Sequence, residues 1–221
     1  MLNKFEHINN FIFDMDGTIV DSSEEVLQCL KQACNNHNAE ININNFSPDV
    51  IGPPIKEIIK NIIVDFKNET LVGKIITDFR KIYDNDENDQ SQMYEMIFEW
   101  LKFLKNSNKR LFLATNKPAK PTERLIKMLN LNMFEEVYTI DKYPDRQLSK
   151  KEMITEIVEK YNLTKAETLM VGDAPSDIKA AHLANIKAIG VLWGYGNEKE
   201  TLVEISDYII NVNDLKILQK V

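Results

Sequence analysis

The strongest constraint on this chain is an alternation that begins near residue 93 and continues to residue 210. Short apolar runs take turns there with segments of helical periodicity. A helix-like stretch, Met93–Leu104, precedes the apolar run Arg110-Leu-Phe-Leu-Ala114. A helix near Pro121–Leu129 leads to Glu136–Ile140, and Ser149–Tyr161 reads as a helix before Thr168–Gly172. Ser176–Ala184 is then helical, Lys187–Val191 is a strand, and Asp207–Ile210 is a last short strand. Runs this short and this apolar are buried strands rather than helices. Strands alternating with helices of these lengths predict an α/β fold, a doubly wound, mostly parallel Rossmann-like sheet with right-handed crossovers. Functional residues then belong at the carboxyl ends of the strands.

One more strand comes first. Asn10-Phe-Ile-Phe is apolar and ends abruptly in Asp14, Asp16 and Gly17. From Asp21 to about Glu87 the pattern is helical, with Val26, Leu27, Leu30 and Ala33 on one face and Ile55, Ile58, Ile59, Ile62 and Ile63 on another. Ile51-Gly-Pro-Pro54 interrupts it, because proline cannot continue a preceding helix. The polar, turn-rich stretch Tyr83–Gln90 reads as a linker. A helical segment inserted after the first strand would sit above the active edge of the sheet.

Composition narrows the class of protein. Lys and Arg number 27 and Asp and Glu 34 among 221 residues, giving a formal charge of −7 and arguing against a broad nucleic-acid-binding surface. No apolar run is long enough to span a bilayer, and Met1-Leu-Asn-Lys-Phe-Glu-His-Ile lacks the apolar stretch of a signal peptide. A cytoplasmic protein without membrane or nucleic-acid partners is expected. Cys29 and Cys34 are five apart in one helix, about 140° apart around its axis. They read as core thiols, neither bridged nor zinc-binding. Asn is abundant but scattered, and no internal repeat is present.

Four polar clusters fall at or near strand ends: Asp14-Met-Asp16-Gly17-Thr18, Thr115-Asn116-Lys117, Lys150-Lys151 and Gly172-Asp173-Ala-Pro-Ser-Asp177. A parallel sheet gathers them on one edge. Carboxylates crowded there repel one another, and Mg²⁺, a hard cation that takes oxygen ligands, resolves the conflict. Acids, Mg²⁺, Lys and a hydroxyl together suit phosphoryl transfer, with a carboxylate as nucleophile and cations stabilising the transferring oxygens.

Phe-Asp14-Met-Asp16-Gly17-Thr18 resembles the first motif of the haloacid dehalogenase-like hydrolases. Thr115, Lys150 and Gly172-Asp173-x-x-x-Asp177 resemble the second, third and fourth motifs in order. Ile51-Gly-Pro-Pro54 and Gly190-Val-Leu-Trp-Gly-Tyr-Gly196 resemble the phosphoglycolate phosphatase-like branch. The resemblance covers essentially the whole chain and implies a catalytic core of residues 1–18 and 89–221 with a helical cap domain of residues 19–88. It implies that Asp14 attacks phosphorus to form an aspartyl-phosphate, and that Asp16 first protonates the leaving oxygen and then activates water. Gly17 would allow a tight turn beside the phosphate, with Asn116 also near the substrate. Thr115 would bind a phosphoryl oxygen and Lys150 supply positive charge, with Lys151 and Lys142 as alternatives. Mg²⁺ would be held by Asp14, the Asp16 carbonyl and Asp173, with Asp177 in support. The expected activity is Mg²⁺-dependent hydrolysis of a small phosphorylated metabolite, a phosphoglycolate-like phosphomonoester.

Taken singly, each motif has a plainer explanation. Asp-x-Asp-Gly occurs in many turns, Thr115 suits a helix N-cap, Lys150 an exposed helix position, and acids favour helix N-termini. A calcium loop starting at Asp14 fails because its sixth position is Ile19, where glycine is needed. Joint occurrence in one order favours the functional reading. The alternatives are a phosphomutase or pyrophosphatase of the same superfamily, or a non-catalytic phosphoryl-binding regulatory module. His7, His37 and His182 show no ligand spacing. Trp193 and Tyr195 suit either the site entrance or packing, Arg80 and Tyr83 either contact substrate or, the favoured reading, cover the surface of the inserted segment, and monomer and homodimer stay open.

Overall fold

A computed structural model describes residues 5–85, 90–195 and 198–216. Six strands form one parallel sheet in the order β5-β4-β1-β6-β7-β8. They are β1 (Asn10–Phe13), β4 (Arg110–Thr115), β5 (Glu136–Thr139), β6 (Thr168–Gly172), β7 (Lys187–Val191) and β8 (Tyr208–Ile210). The chain leaves β1 in one direction through β4 and β5, then returns to β1's other side for β6, β7 and β8. That reversal places the switch point of a doubly wound sheet beside β1.

Strand periodicity explains the two layers. Phe11, Phe13, Leu111, Leu113, Leu169 and Val171 point to one face, into a core completed by α4 (Ile97–Asn106), α5 (Ala119–Met128) and α9 (Val212–Leu215). Ile12, Phe112, Ala114, Met170 and Ala188 point to the other, against α6 (Lys150–Lys160), α7 (Pro175–Leu183) and α8 (Lys199–Ile205). Strands covered on both faces must be apolar along their buried middles, as Phe11–Phe13, Leu111–Ala114 and Leu169–Val171 are.

Between β1 and β4 the chain departs. A two-stranded antiparallel ribbon pairs β2 (Val20–Asp21) with β3 (Gln92–Met93). It carries α1 (Ser23–Asn36), α2 (Ile55–Ile62) and α3 (Glu69–Asp84), which share a separate apolar cluster built around Leu30, Ile59, Ile62 and Ile75. Cys29 and Cys34 lie buried and unbridged in it. Two expectations need correction. The helix expected from Met93 starts at Ile97, because Gln92–Met93 pairs as a strand and Met96 takes a left-handed φ of 68°. The linker expected from Tyr83 begins later, since α3 includes Tyr83 and Asp84; residues 86–89 of that stretch lie outside the described residues.

The scattered asparagines have a structural use. Asn38, Asn108, Asn130, Asn162 and Asn185 all adopt φ between 50° and 60° just past the ends of α1, α4, α5, α6 and α7. After each, the next amide reaches back to a carbonyl of the last turn, as Lys109 N does to Leu104 O and Leu163 N to Val158 O. This is the left-handed C-terminal cap that glycine usually provides, supplied here by the next most tolerant residue.

Candidate active site

The carboxyl ends of β1, β4 and β6 meet at one point. Phe13 pairs with Leu113 and with Val171, so Asp14, Thr115 and Asp173 all emerge on the same edge. Just past β1, the Met15 carbonyl accepts hydrogen bonds from the amides of Thr18, Ile19 and Val20, coiling the chain tightly. Gly17 has φ +81°, and a Cβ there would lie 2.2 Å from Asp173 Oδ2. Only glycine fits that turn.

Lys150 is the first residue of α6, whose start is fixed by reciprocal hydrogen bonds between Ser149 and Glu152. From there its buried side chain reaches Asp14 Oδ1 at 2.5 Å, Asp177 Oδ1 at 3.1 Å and the Ala114 carbonyl at 2.9 Å. Of the three candidate lysines, this is the one in the site. Lys151 is exposed, and Lys142 bonds Glu136 Oε1 and the Val137 carbonyl, each at 3.0 Å. Burial raises the Asp14 carboxyl well above the usual range; Lys150 opposes this, while Asp177 and Asp173 add to it. Burial also disfavours charge on Lys150, but Asp14 and Asp177 outweigh it and keep the ammonium charged.

Asp173 accepts from Thr18 Oγ1 at 3.0 Å and from the Tyr195 amide at 2.9 Å. Burial, reinforced by Asp177, pushes its carboxyl up to about 7 against those hydrogen bonds. Asp177 sits in the first turn of α7 and accepts from the Ala174 amide at 3.3 Å. One oxygen from each of Asp14, Asp173 and Asp177 lies within 4.8 Å of the others. Three buried carboxylates this close form a hard, all-oxygen donor set of the kind that suits Mg²⁺.

Asp16 faces another way. Its side chain is 14% exposed, and Oδ1 accepts from Ser22 Oγ at 2.5 Å and lies 3.0 Å from Lys117 Nζ. Thr115 is buried and its hydroxyl accepts from the Lys117 amide at 3.1 Å. Asn116 donates to the Gly52 carbonyl at 3.0 Å, bridging the sheet edge to the inserted helices. A cavity of about 210 Å³ opens from Asp16 and Asn116 between the two regions, walled by Val26, Ile51, Ile58 and Phe79.

Sequence reasoning missed Lys117. It is buried between Asp16 and the Tyr83 hydroxyl, to which it donates. Burial works against its charge, and Asp16 and Tyr83 more than compensate. The available signal was its place in Thr115-Asn116-Lys117, but nothing local marks a lysine for burial. Tyr83, expected at the surface, is only 3% exposed, whereas Arg80 is exposed at the cavity wall. Trp193 donates to the Thr18 carbonyl at 2.9 Å, and the Tyr195 hydroxyl accepts from the Ser22 amide at 2.7 Å. Their loop therefore braces the first motif. Gly194 between them leaves no room for a side chain, since a Cβ would sit 2.2 Å from the Gly17 carbonyl. His37 and His182 pair with Asp78 and Asp207, away from these residues, and His7 is exposed.

Known proteins resemble this chain over most of its length. The phosphoglycolate phosphatase of Colwellia psychrerythraea (strain 34H) is 30% identical over 203 residues, covering 87% of this chain and 88% of its own. The pyrophosphatase PpaX of Bacillus mycoides (strain KBAB4) is 24% identical over 205 residues, 92% of this chain and 93% of its own. Among solved structures, a predicted phosphatase from Clostridium acetobutylicum superposes with a TM-score of 0.81 at 25% identity, over 96% of this chain and 97% of that one. No helix among the described residues is long and apolar enough to cross a membrane. Residues 11–191 match the haloacid dehalogenase-like hydrolase family, and the chain belongs to that family, on its phosphoglycolate phosphatase-like branch.

Proposed function

We propose that the protein is a Mg²⁺-dependent phosphatase that hydrolyses a small organic phosphomonoester through an aspartyl-phosphate on Asp14. The observation that carries this reading is the Asp14 carboxylate, buried against Lys150 at 2.5 Å with Asp173 and Asp177 beside it. Asp14, Asp173 and the Asp16 carbonyl would hold the ion, with Asp177 in support; when bound, Mg²⁺ supplies positive charge to the carboxylates and phosphoryl oxygens.

In the first step an Asp14 oxygen bonds to phosphorus as the phosphorus–oxygen bond to the leaving group breaks, and Asp16 gives that oxygen its proton. Asp16, now a carboxylate, takes a proton from water as the water oxygen bonds to phosphorus. The acyl-phosphate bond breaks, releasing phosphate and restoring Asp14. Lys150 and the Thr115 hydroxyl hold the phosphoryl oxygens throughout. The inserted helices α1–α3 act as a lid over the site.

The cavity reaches Asp16, the residue assigned to the leaving group, and its Val, Ile and Phe walls favour an organic ester over pyrophosphate. Hydrolysis of 4-nitrophenyl phosphate, pyrophosphate and a panel of metabolite phosphates, with and without Mg²⁺, tests the reading. Mg²⁺-dependent turnover of phosphomonoesters is expected. Full activity in EDTA, or in Asp14→Ala, would sink it.

A further inference from the structure

Lys117 has no role in the reaction as set out above, yet its side chain is only 3% exposed. An ammonium is buried at a large cost unless its protons find partners. The partners here come from opposite sides of the boundary between sheet and insert. From the sheet edge, Asp16 Oδ1 lies 3.0 Å from Nζ; from α3, the Tyr83 hydroxyl accepts a hydrogen bond from it.

Both partners are themselves fixed. Ser22 Oγ donates to the same Asp16 oxygen at 2.5 Å. The Tyr83 ring stacks on Phe79 at a centroid distance of 5.2 Å and an angle of 15°, and its carbonyl accepts from Arg124 at 2.7 Å. Lys117 therefore spans a continuous chain of contacts from the inserted helices to the carboxyl that handles the leaving group's proton.

We infer that Lys117 is a positioning residue for proton transfer: with Tyr83 it holds the Asp16 carboxyl toward the leaving oxygen, and it does so while the inserted helices are seated on the sheet. The insert then completes the acid at the moment it covers the substrate, in addition to excluding water. This inference rests on the proposed role of Asp16 as proton donor.

Leaving-group dependence tests it. A 4-nitrophenolate departs without a proton, whereas an alkoxide does not. The ratio kcat/KM reports only the steps through phosphorus–oxygen cleavage. It is measured for 4-nitrophenyl phosphate and for an alkyl phosphate, glycerol 3-phosphate, with wild type, Asp16→Asn, Lys117→Met, Tyr83→Phe and the Lys117→Met/Tyr83→Phe double variant. For the alkyl ester, Lys117→Met should lower kcat/KM about a hundredfold and Tyr83→Phe about tenfold. For the nitrophenyl ester both losses should stay below about fivefold. Because Tyr83 acts through Lys117, the double variant should be no worse than Lys117→Met alone.

Equal losses on the two esters would overturn the inference, as would losses that multiply in the double variant. Tyr83→Phe keeps the ring and its stacking, so its ester selectivity decides the matter even if Lys117→Met folds poorly. Asp16→Asn separates the two claims. If it shows strong leaving-group dependence and Lys117→Met shows none, the inference alone fails; if Asp16→Asn shows none, the acid–base assignment fails with it.

Discussion

The two halves of the site are built differently. On the phosphoryl side, Asp14, Thr115, Asp173 and Lys150 are placed by strand register and by the first turn of α6, all rooted in continuous apolar layers. On the leaving-group side, Asp16 is held by side chains that cross a boundary, with Lys117 meeting Tyr83 and Asn116 meeting Gly52. The inserted helices have their own apolar cluster and do not share the core of the sheet. A phosphoryl site fixed by the sheet can serve many esters. On the proposed mechanism, the contacts that cross to the insert would decide which ester is held and when its leaving group is protonated. Such side-chain contacts are also less costly to break than strand packing.

This contrast predicts a gradient of effects. Asp14→Asn should abolish turnover of every ester, a loss of about ten-thousandfold or more, because no other group supplies the nucleophile. A steady-state assay at raised enzyme concentration, with substrate still in large excess, checks it. Next comes Lys150→Met, which leaves Asp14 and Asp177 buried without their counter-charge. A stability loss of about 3–5 kcal/mol is expected in EDTA, since breaking a buried pair strands its partners. Urea unfolding measures it, and Mg²⁺ should recover part of the loss.

Gly17→Ala should cost about 1–3 kcal/mol, combining a left-handed φ with a Cβ driven into Asp173. It should weaken Mg²⁺ activation as well. A normal urea midpoint with unchanged Mg²⁺ dependence would contradict the tight packing described at that turn.

The raised Asp173 carboxyl gives a prediction in pH. Between about 4, the usual carboxylate value, and about 7, the folded metal-free chain keeps a proton that the unfolded chain has lost. Its contribution to stability must therefore fall as pH rises through that interval. In EDTA the urea midpoint should decrease from pH 5 to pH 7.5, and Asp173→Asn should flatten that slope. A midpoint that rises equally in both proteins would contradict the assignment.

The smallest effect belongs to the boundary. Asn116→Ala removes one hydrogen bond to Gly52 and should cost about 1 kcal/mol. It should raise KM a few-fold with little change in kcat. A large fall in kcat instead would mean that Asn116 serves the phosphoryl side, and the division between the two halves would need redrawing.

What the sequence revealed follows the same division. Strands such as Phe11–Phe13 and Leu169–Val171 are apolar on both faces, so local pattern reports their burial directly. Asp14, Thr115 and Asp173 were legible because the sheet's parallel order brings strand ends together wherever they lie in the chain. Lys150 is 136 residues from Asp14, and its choice over Lys142 and Lys151 depended on the start of α6 and on how far each side chain reaches. The ribbon of Val20–Asp21 and Gln92–Met93 is too short to carry a period. Lys117 and Tyr83 were not legible, because each owes part of its burial to the other's region. Whether a lysine beside a turn faces solvent or a carboxylate is decided by packing between segments, which local spacing does not encode.

Borohydride trapping reads out Asp14 as the proposed nucleophile at the residue itself. Borohydride reduces an acyl phosphate but leaves a free carboxylate intact. Enzyme quenched during turnover of a phosphomonoester with Mg²⁺ should therefore carry homoserine at position 14, identified by peptide mass spectrometry, and none without substrate. Turnover that persists in Asp14→Asn, with position 14 of the wild type unmodified at every quench time, would contradict the account.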